Sequence, residues 1–292
     1  MRHDKTEERL EAEAVMPAAP LTVEGSSVLH QMFRVKWAAW KALPSGARQE
    51  AVAEAEPVLE AMEQPGERQS AFYSLLGHKG DLLAVHFRRS FDELNEAELR
   101  LARLKLSDYL EPTTSYVSVV ELGLYDSSLR LYKGLLERGI RPDSPEWEKE
   151  VEDALAQHRK AMAPRLYPSI PEGRYVCFYP MDRKRGESVN WYTVTMAERR
   201  RMMHEHGEVG RKYAGRVKQV ISGSIGFDDW EWGVDLFGDD PVAFKQVIYE
   251  MRFDEASALY ALFGPFYVGI RLPAKGLGAL LAVEPGGSVA RP

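Results

Sequence analysis

The chain has 292 residues, 45% of them hydrophobic and 28% charged, a mixture typical of a globular protein with one large domain or two modest ones. With 38 basic and 44 acidic residues the net charge is −6, which argues against a nucleic-acid binder relying on a general basic surface. Cys177 is the only cysteine, so intrachain disulfides and multi-cysteine zinc sites are excluded, and no apolar run approaches the ~20 residues that span a bilayer.

Residues 1–26 pass from a charged stretch into AVMPAAPLTVEGSS and are expected to form a loose tail. They show no signal-peptide core, so a reducing cytoplasm is the expected compartment. SVLHQMFRVKWAAW is apolar and strand-like, and ARQEAVAEAEPVLEAM has helical spacing with Pro57 as a kink or break. AFYSLLG and DLLAVHF are short strands, FDELNEAELRLARLKLSDYL is an amphipathic helix, and SYVSVVELG is a strand. A connector over 123–172 follows, with a helix opening at Ser144-Pro145-Glu146. A connector this long is often a lid or a binding loop.

The same order then repeats. GRYVCFYPM is a strand, and TMAERRRMMHEHGEVGRKY is a helix that Thr195 can cap, with Glu198 three positions on. RVKQVISGSIG and WEWGVDLF are strands, DDPVAFKQVIYEMRFDEASALY is a helix, and PFYVGIRL is a strand. The pattern β-α-β-β-α-β, read twice, predicts an α+β fold of two ferredoxin-like halves, 27–122 and 173–275, with a tail over 276–292.

Along the helix after Thr195, Met196, Met203, His206, Gly210 and Tyr213 share a face, whereas His204 falls with Arg200, Glu208 and Arg211. His206 is therefore predicted inward and His204 outward. An inward histidine is ordinarily a core residue satisfied by one hydrogen bond. Gly207 and Gly210, however, each cost a helix roughly 1 kcal/mol relative to alanine, and glycines beside such a histidine leave room for a large flat ligand. No second histidine or carboxylate follows at i+3 or i+4 on this face, which disfavours zinc or di-iron. One imidazole on an iron already held by a macrocycle fits the pattern.

In RYVCFYPMD, alternation puts Tyr175, Cys177, Tyr179 and Met181 on one face. Tyr179 is by itself most simply structural. The triplet Arg183-Lys184-Arg185 is either a solvated turn or, beside an apolar pocket, a holder of carboxylates. Gln219 shares a face with Val217 and Ile221 and needs a partner or a ligand. Trp230 and Trp232 are read as one face, core or the wall of a porphyrin site.

In these residues the sequence resembles the chlorite dismutase-like superfamily, in its coproheme decarboxylase branch. The stretches that carry it are RLYP, YVCFYPMD, NWYT, HGEVGRKYAGRVKQVISGSIGFDDWEWGVDLF and YEMRFDEASALYALFGPFYVG. The resemblance implies a dimeric α+β barrel of duplicated ferredoxin-like units, assembled as a cytoplasmic homopentamer, with neither membrane nor nucleic acid as partner. The implied reaction is peroxide-dependent. Iron coproporphyrin III (coproheme), both substrate and redox cofactor, loses carbon dioxide from two propionates and becomes haem b. A transient contact with the coproporphyrin ferrochelatase belongs to the same picture. His206 corresponds to the axial iron ligand and Tyr179 to the tyrosine that becomes a radical. Arg165, Tyr116, Arg252 and Ser257 correspond to propionate-holding positions. Met181, Trp191 and Gln219 correspond to pocket positions, Gln219 on the distal side.

Two departures stand out. Arg183, followed by Lys184, occupies the place of a family lysine; arginine keeps the charge but does not readily give up a proton. The connector is also longer than the family leads one to expect, so lid behaviour does not carry over. Competing readings are a generic haem peroxidase, a non-catalytic haem carrier or sensor, and chlorite dismutation, which uses an arginine where Gln219 stands.

Overall fold

A computed structural model of the chain describes residues 16–66 and 68–283. The first half comprises β1 (Thr22–Val35), α1 (Trp37–Ala42), α2 (Ser45–Met62), β2 (Ser70–Leu75), β3 (Leu82–Arg88), α3 (Phe91–Ala102) and β4 (Leu110–Gly123). Helices α4 (Tyr125–Glu137) and α5 (Pro145–Leu166) lead to the second half. There β5 (Tyr175–Arg183), α6 (Met196–Lys212), β6 (Lys218–Gly223), β7 (Trp232–Gly238), α7 (Pro241–Met251), α8 (Glu255–Tyr260), β8 (Ala261–Phe263) and β9 (Tyr267–Arg271) are followed by α9 (Leu277–Leu280).

The strands run in the orders β4-β1-β3-β2 and β6-β7-β5-β9, joined through β4–β6 and β2–β9. All pairs are antiparallel and the β5–β7 pairing sits within the second set, so the sheet closes into a barrel, with β8 attached to the end of β5. Val28, Met32, Val85, Phe87, Tyr116, Phe178 and Phe237 fill its interior. A buried His30–Asp235 pair at 2.9 Å ties β1 to β7 there. The outer face of the first half packs under α2 and α3 through Val52, Leu59, Phe72 and Ala84. The outer face of the second half packs under α7 through Cys177, Tyr179, Leu236, Val247 and Met251. Both faces of β5 are covered, which is why its sequence is apolar in both phases. Among the described residues no helix is long and apolar enough to cross a membrane.

Several boundaries differ from the sequence reading. Strand β1 begins at Thr22, within the stretch expected to be a tail, because Thr22–Glu24 pair with Glu121–Gly123 of β4; residues 1–15 lie outside the described residues. The segment WAAWKA turns helical, and α2 runs unbroken through Pro57 because Ala51, Val52, Ala55, Leu59 and Met62 pin one face to the core. At the C-terminal end, Leu277 and Leu281 are buried in the first half's core and the Trp40 indole donates to the Leu281 carbonyl at 2.9 Å. The residues of that tail up to 283 are thus part of the fold, and 284–292 lie outside the described residues. The helix expected over 239–260 breaks after Met251 because Asp254 starts a new one. The connector is largely helical. Tyr132 of α4 stacks on Trp147 of α5 with ring centroids 5.3 Å apart.

Candidate active site

Strand β5 points Cys177 and Tyr179 to the outer face, where they join Val217, Val234 and Leu236 from β6 and β7 and Phe244, Val247 and Met251 from α7. Tyr179 is 4% exposed and its ring lies 4.7 Å from Phe266 and 5.7 Å from Phe263. Burial pushes its phenol well above the ordinary range, against the smaller pull of Arg252 and Arg183, so it is a neutral O–H donor at physiological pH. Met181 flanks it, paired across the sheet with Trp232 and Phe263. Arg252 caps α7 and lies over the Phe263 ring at 4.0 Å, on the same aromatic group that walls Tyr179.

Helix α6 begins as expected, with the Thr195 hydroxyl accepting from the Glu198 N–H at 3.3 Å. Its phase puts His206 inward and His204 outward, with side chains 23% and 59% exposed. His206 Nδ1–H donates to Asp254 Oδ2 at 2.9 Å. Asp254 also accepts from the Ser257 backbone N–H at 2.9 Å and from the Ser257 hydroxyl at 3.2 Å. Burial alone would raise the Asp254 carboxyl, but these bonds hold it below the ordinary carboxylate range. With Nδ1–H committed to a carboxylate, His206 keeps its Nε2 lone pair, the tautomer a metal requires. One turn on, a Cβ at Gly210 would lie 3.4 Å from Met251 Cε and 3.9 Å from Gln219 Nε2. Gln219 therefore faces this helix.

Arg183 is the least ordinary residue here. Its guanidinium donates to the Ala256 carbonyl at 2.9 Å and to Met203 Sδ at 3.5 Å, and lies 4.6 Å over the fully buried Trp191 ring. No carboxylate forms a direct ion pair with it among the described residues; burial pulls its pKa down, against the smaller, more distant support of Asp254 and Glu231. A buried cation without a counter-ion is costly unless an anion arrives. Lys184 is half-buried at the strand end, its N–H donating to the Tyr260 carbonyl at 2.7 Å.

Three expected site residues lie elsewhere. Tyr116 points into the barrel and hydrogen-bonds Ser224, because alternation along β4 sends 116, 118 and 120 inward. Trp230 precedes β7 and packs on the barrel-interior cluster, so it does not share a face with Trp232. Arg165 is exposed on the last turn of α5. Ser257 is in the site, but its hydroxyl is engaged by Asp254. Asp254 itself escapes the sequence reading; the Asp-x-x-Ser spacing in FDEAS, a helix-capping pattern, is the available signal. Arg199 and Met202 also belong to the inward face of α6 and are buried. No group of three or more potential metal-ligating His, Cys, Asp or Glu side chains occurs among the described residues, so a metal here must bring ligands of its own.

The chlorite dismutase family model matches residues 48–272. The chain is 41% identical to a coproheme decarboxylase of Staphylococcus saprophyticus over 257 residues, 87% of this chain and 94% of that protein. The solved structure of a heme-binding protein from Thermus thermophilus is 42% identical, with a TM-score of 0.75, covering 91% of this chain and 99% of the other. Chlorite dismutase from Candidatus Nitrospira defluvii is 17% identical with a TM-score of 0.64, over 89% and 94% of the two chains, and shares the fold.

Proposed function

Since the chain belongs to the chlorite dismutase family, we propose that it is a coproheme decarboxylase. In this reading it converts two propionates of iron coproporphyrin III to vinyl groups at the expense of hydrogen peroxide, giving haem b. The observation that carries the reading is Arg183, a buried guanidinium with no direct carboxylate ion pair among the described residues, four residues along β5 from a buried neutral tyrosine.

The residues present fit an iron porphyrin. His206 offers Nε2 with Nδ1–H held by Asp254, Gly210 leaves the helix bare opposite Gln219, and Arg183 and Arg252 offer cations to carboxylates. The bound group supplies the oxidising chemistry, by reducing peroxide at its iron. Asp254 fixes the imidazole's tautomer and raises its basicity. Arg183 and Arg252 hold propionates, and Trp191 and the Ala256 carbonyl keep the Arg183 fork in place. Tyr179, after losing its phenolic proton and one electron to the oxidised centre, would take a hydrogen atom from the propionate β-carbon. The bond to the carboxylate then breaks, carbon dioxide leaves, a vinyl forms and the remaining electron returns to the oxidised centre. Each cycle thus consumes one propionate, one peroxide and one proton, and yields one vinyl, one carbon dioxide and two waters. Because Arg183 remains protonated, its part is to hold charge, and the proton comes from elsewhere. Family membership is also compatible with assembly as a cytoplasmic homopentamer that makes a transient contact with the coproporphyrin ferrochelatase.

Mass spectrometry of the porphyrin after peroxide is added to the iron coproporphyrin complex tests this. Successive loss of two carbon dioxide units is the expected result. Bleaching alone would indicate a generic peroxidase, and an unchanged porphyrin a haem carrier.

A further inference from the structure

The first half of the barrel holds a cavity of about 380 Å³ between the outer face of β1–β3 and helices α2 and α3. Its walls include Phe33, Leu59, Phe72, Leu82 and Leu101, and its rim carries Gln31, Glu98 and Asp108. Packed interiors keep few voids larger than a water, whereas small-molecule pockets span roughly 300–1,000 Å³.

One wall ends in a chain of hydrogen bonds whose direction is set by chemistry. Arg88 can only donate, and its Nη2 donates to Ser70 Oγ at 2.8 Å. At the other end Gln31 Oε1 can only accept, so His86 Nε2–H donates to it at 3.3 Å, and the neutral ring's Nδ1 accepts from the Ser70 hydroxyl at 2.7 Å. Gln31 Nε2 in turn donates to Glu98 Oε1 at 3.0 Å. Burial pushes His86 down to about 3, so it stays neutral and the order holds. The chain runs from a guanidinium to a carboxylate and fixes Glu98 at the mouth of an apolar cavity. No cation pairs with Glu98 among the described residues.

We propose that this cavity binds a small apolar molecule bearing a protonated amine, its apolar body against Phe33, Phe72 and Leu82 and its ammonium on Glu98. Glu98 and Asp108 at the rim repel carboxylates, the opposite of the preference that Arg183 and Arg252 give the other half. The inference does not depend on the decarboxylase reading.

Decylamine and decanoate, equal in chain length and opposite in charge, distinguish the cases when each is titrated calorimetrically into the full chain at neutral pH below its micelle concentration. Decylamine should bind saturably, one equivalent per chain, and decanoate about ten-fold more weakly or worse. Glu98→Gln keeps the size of the exposed side chain and its Gln31 contact, and should shrink that difference to the part that Asp108 still supplies. Ala102→Trp, at the exposed rim, should obstruct the mouth and weaken decylamine by about ten-fold. Decanoate binding as tightly as decylamine, a charge preference undiminished by Glu98→Gln, or decylamine binding indifferent to Ala102→Trp would each overturn the proposal.

Discussion

Asp254→Asn isolates one function of a residue that has two. Asparagine caps helices as well as aspartate does, so the start of α8 at Glu255 should persist and the folded chain should lose little stability. What disappears is the charge facing His206 Nδ1, across a 2.9 Å bond between side chains 23% and 5% exposed. At that burial the bond is shielded enough to matter, and a hydrogen bond to a charged partner contributes ~1.5–3 kcal/mol. Loss of such an outer partner lowers metal affinity or activity by roughly 10–100-fold. Optical titration with iron coproporphyrin should therefore show affinity reduced within that range. The iron potential should also rise, because a less basic imidazole favours the ferric state less. Asp254→Ala removes the cap as well and should cost a further ~1 kcal/mol of folding stability. His204→Ala, on the exposed face, should leave the spectrum unchanged, and His206→Ala should abolish the axial signature. If Asp254→Asn matched the wild type in both affinity and potential, the carboxylate would not be supporting a metal ligand.

Arg183→Met removes a buried cation that makes no direct ion pair while keeping an unbranched, apolar stem. The melting temperature should hold or rise, because burying an unpaired ion costs several kcal/mol, while iron coproporphyrin affinity should fall by about ten-fold or more; a fall in both would mean that Arg183 is structural. His86 provides a pH test away from the site. Its folded value is pushed down to about 3 against roughly 6.5 unfolded. The unfolded chain therefore binds a proton that the fold refuses, and stability should decline as pH drops below the unfolded value, by at most about 1.4 kcal/mol per unit. Urea titrations of His86→Gln should show a flatter decline over that interval, and an unchanged slope would contradict the neutral, buried histidine.

Periodicity suffices where one element decides the outcome. The phase of α6 separates His206 from His204, and alternation along β5 exposes Tyr179 and Met181 to the same face, without tertiary information. Trp230 is misplaced because β7 begins only at Trp232, so strand alternation does not govern the residue two positions before it. Tyr116 faces inward with Ser118 and Val120 along β4, a phase that the sequence does not select because Val117 and Val119 offer an apolar alternative. Helix α4 is missed in the sequence although Leu129, Tyr132 and Leu135 form its buried stripe. Asp254 meets His206 across 48 residues of sequence, and Arg183 is buried by Trp191 and Ala256 from two different elements. Composition alone assigns such a basic triplet to solvent; only the assembled packing takes one of its three members out of water.

The central claim is that Tyr179 relays oxidation from the iron to a propionate. Tyr179→Phe keeps the ring among Phe263 and Phe266 and removes only the hydroxyl, and Tyr175→Phe on the same strand face serves as control. The measurement is mass analysis of the porphyrin alongside peroxide consumption for both variants and the wild type. Tyr179→Phe should bind iron coproporphyrin and consume peroxide yet form neither the monovinyl intermediate nor haem b, while Tyr175→Phe forms both. Haem b produced by Tyr179→Phe at the wild-type rate would return Tyr179 to a purely structural role and contradict the account.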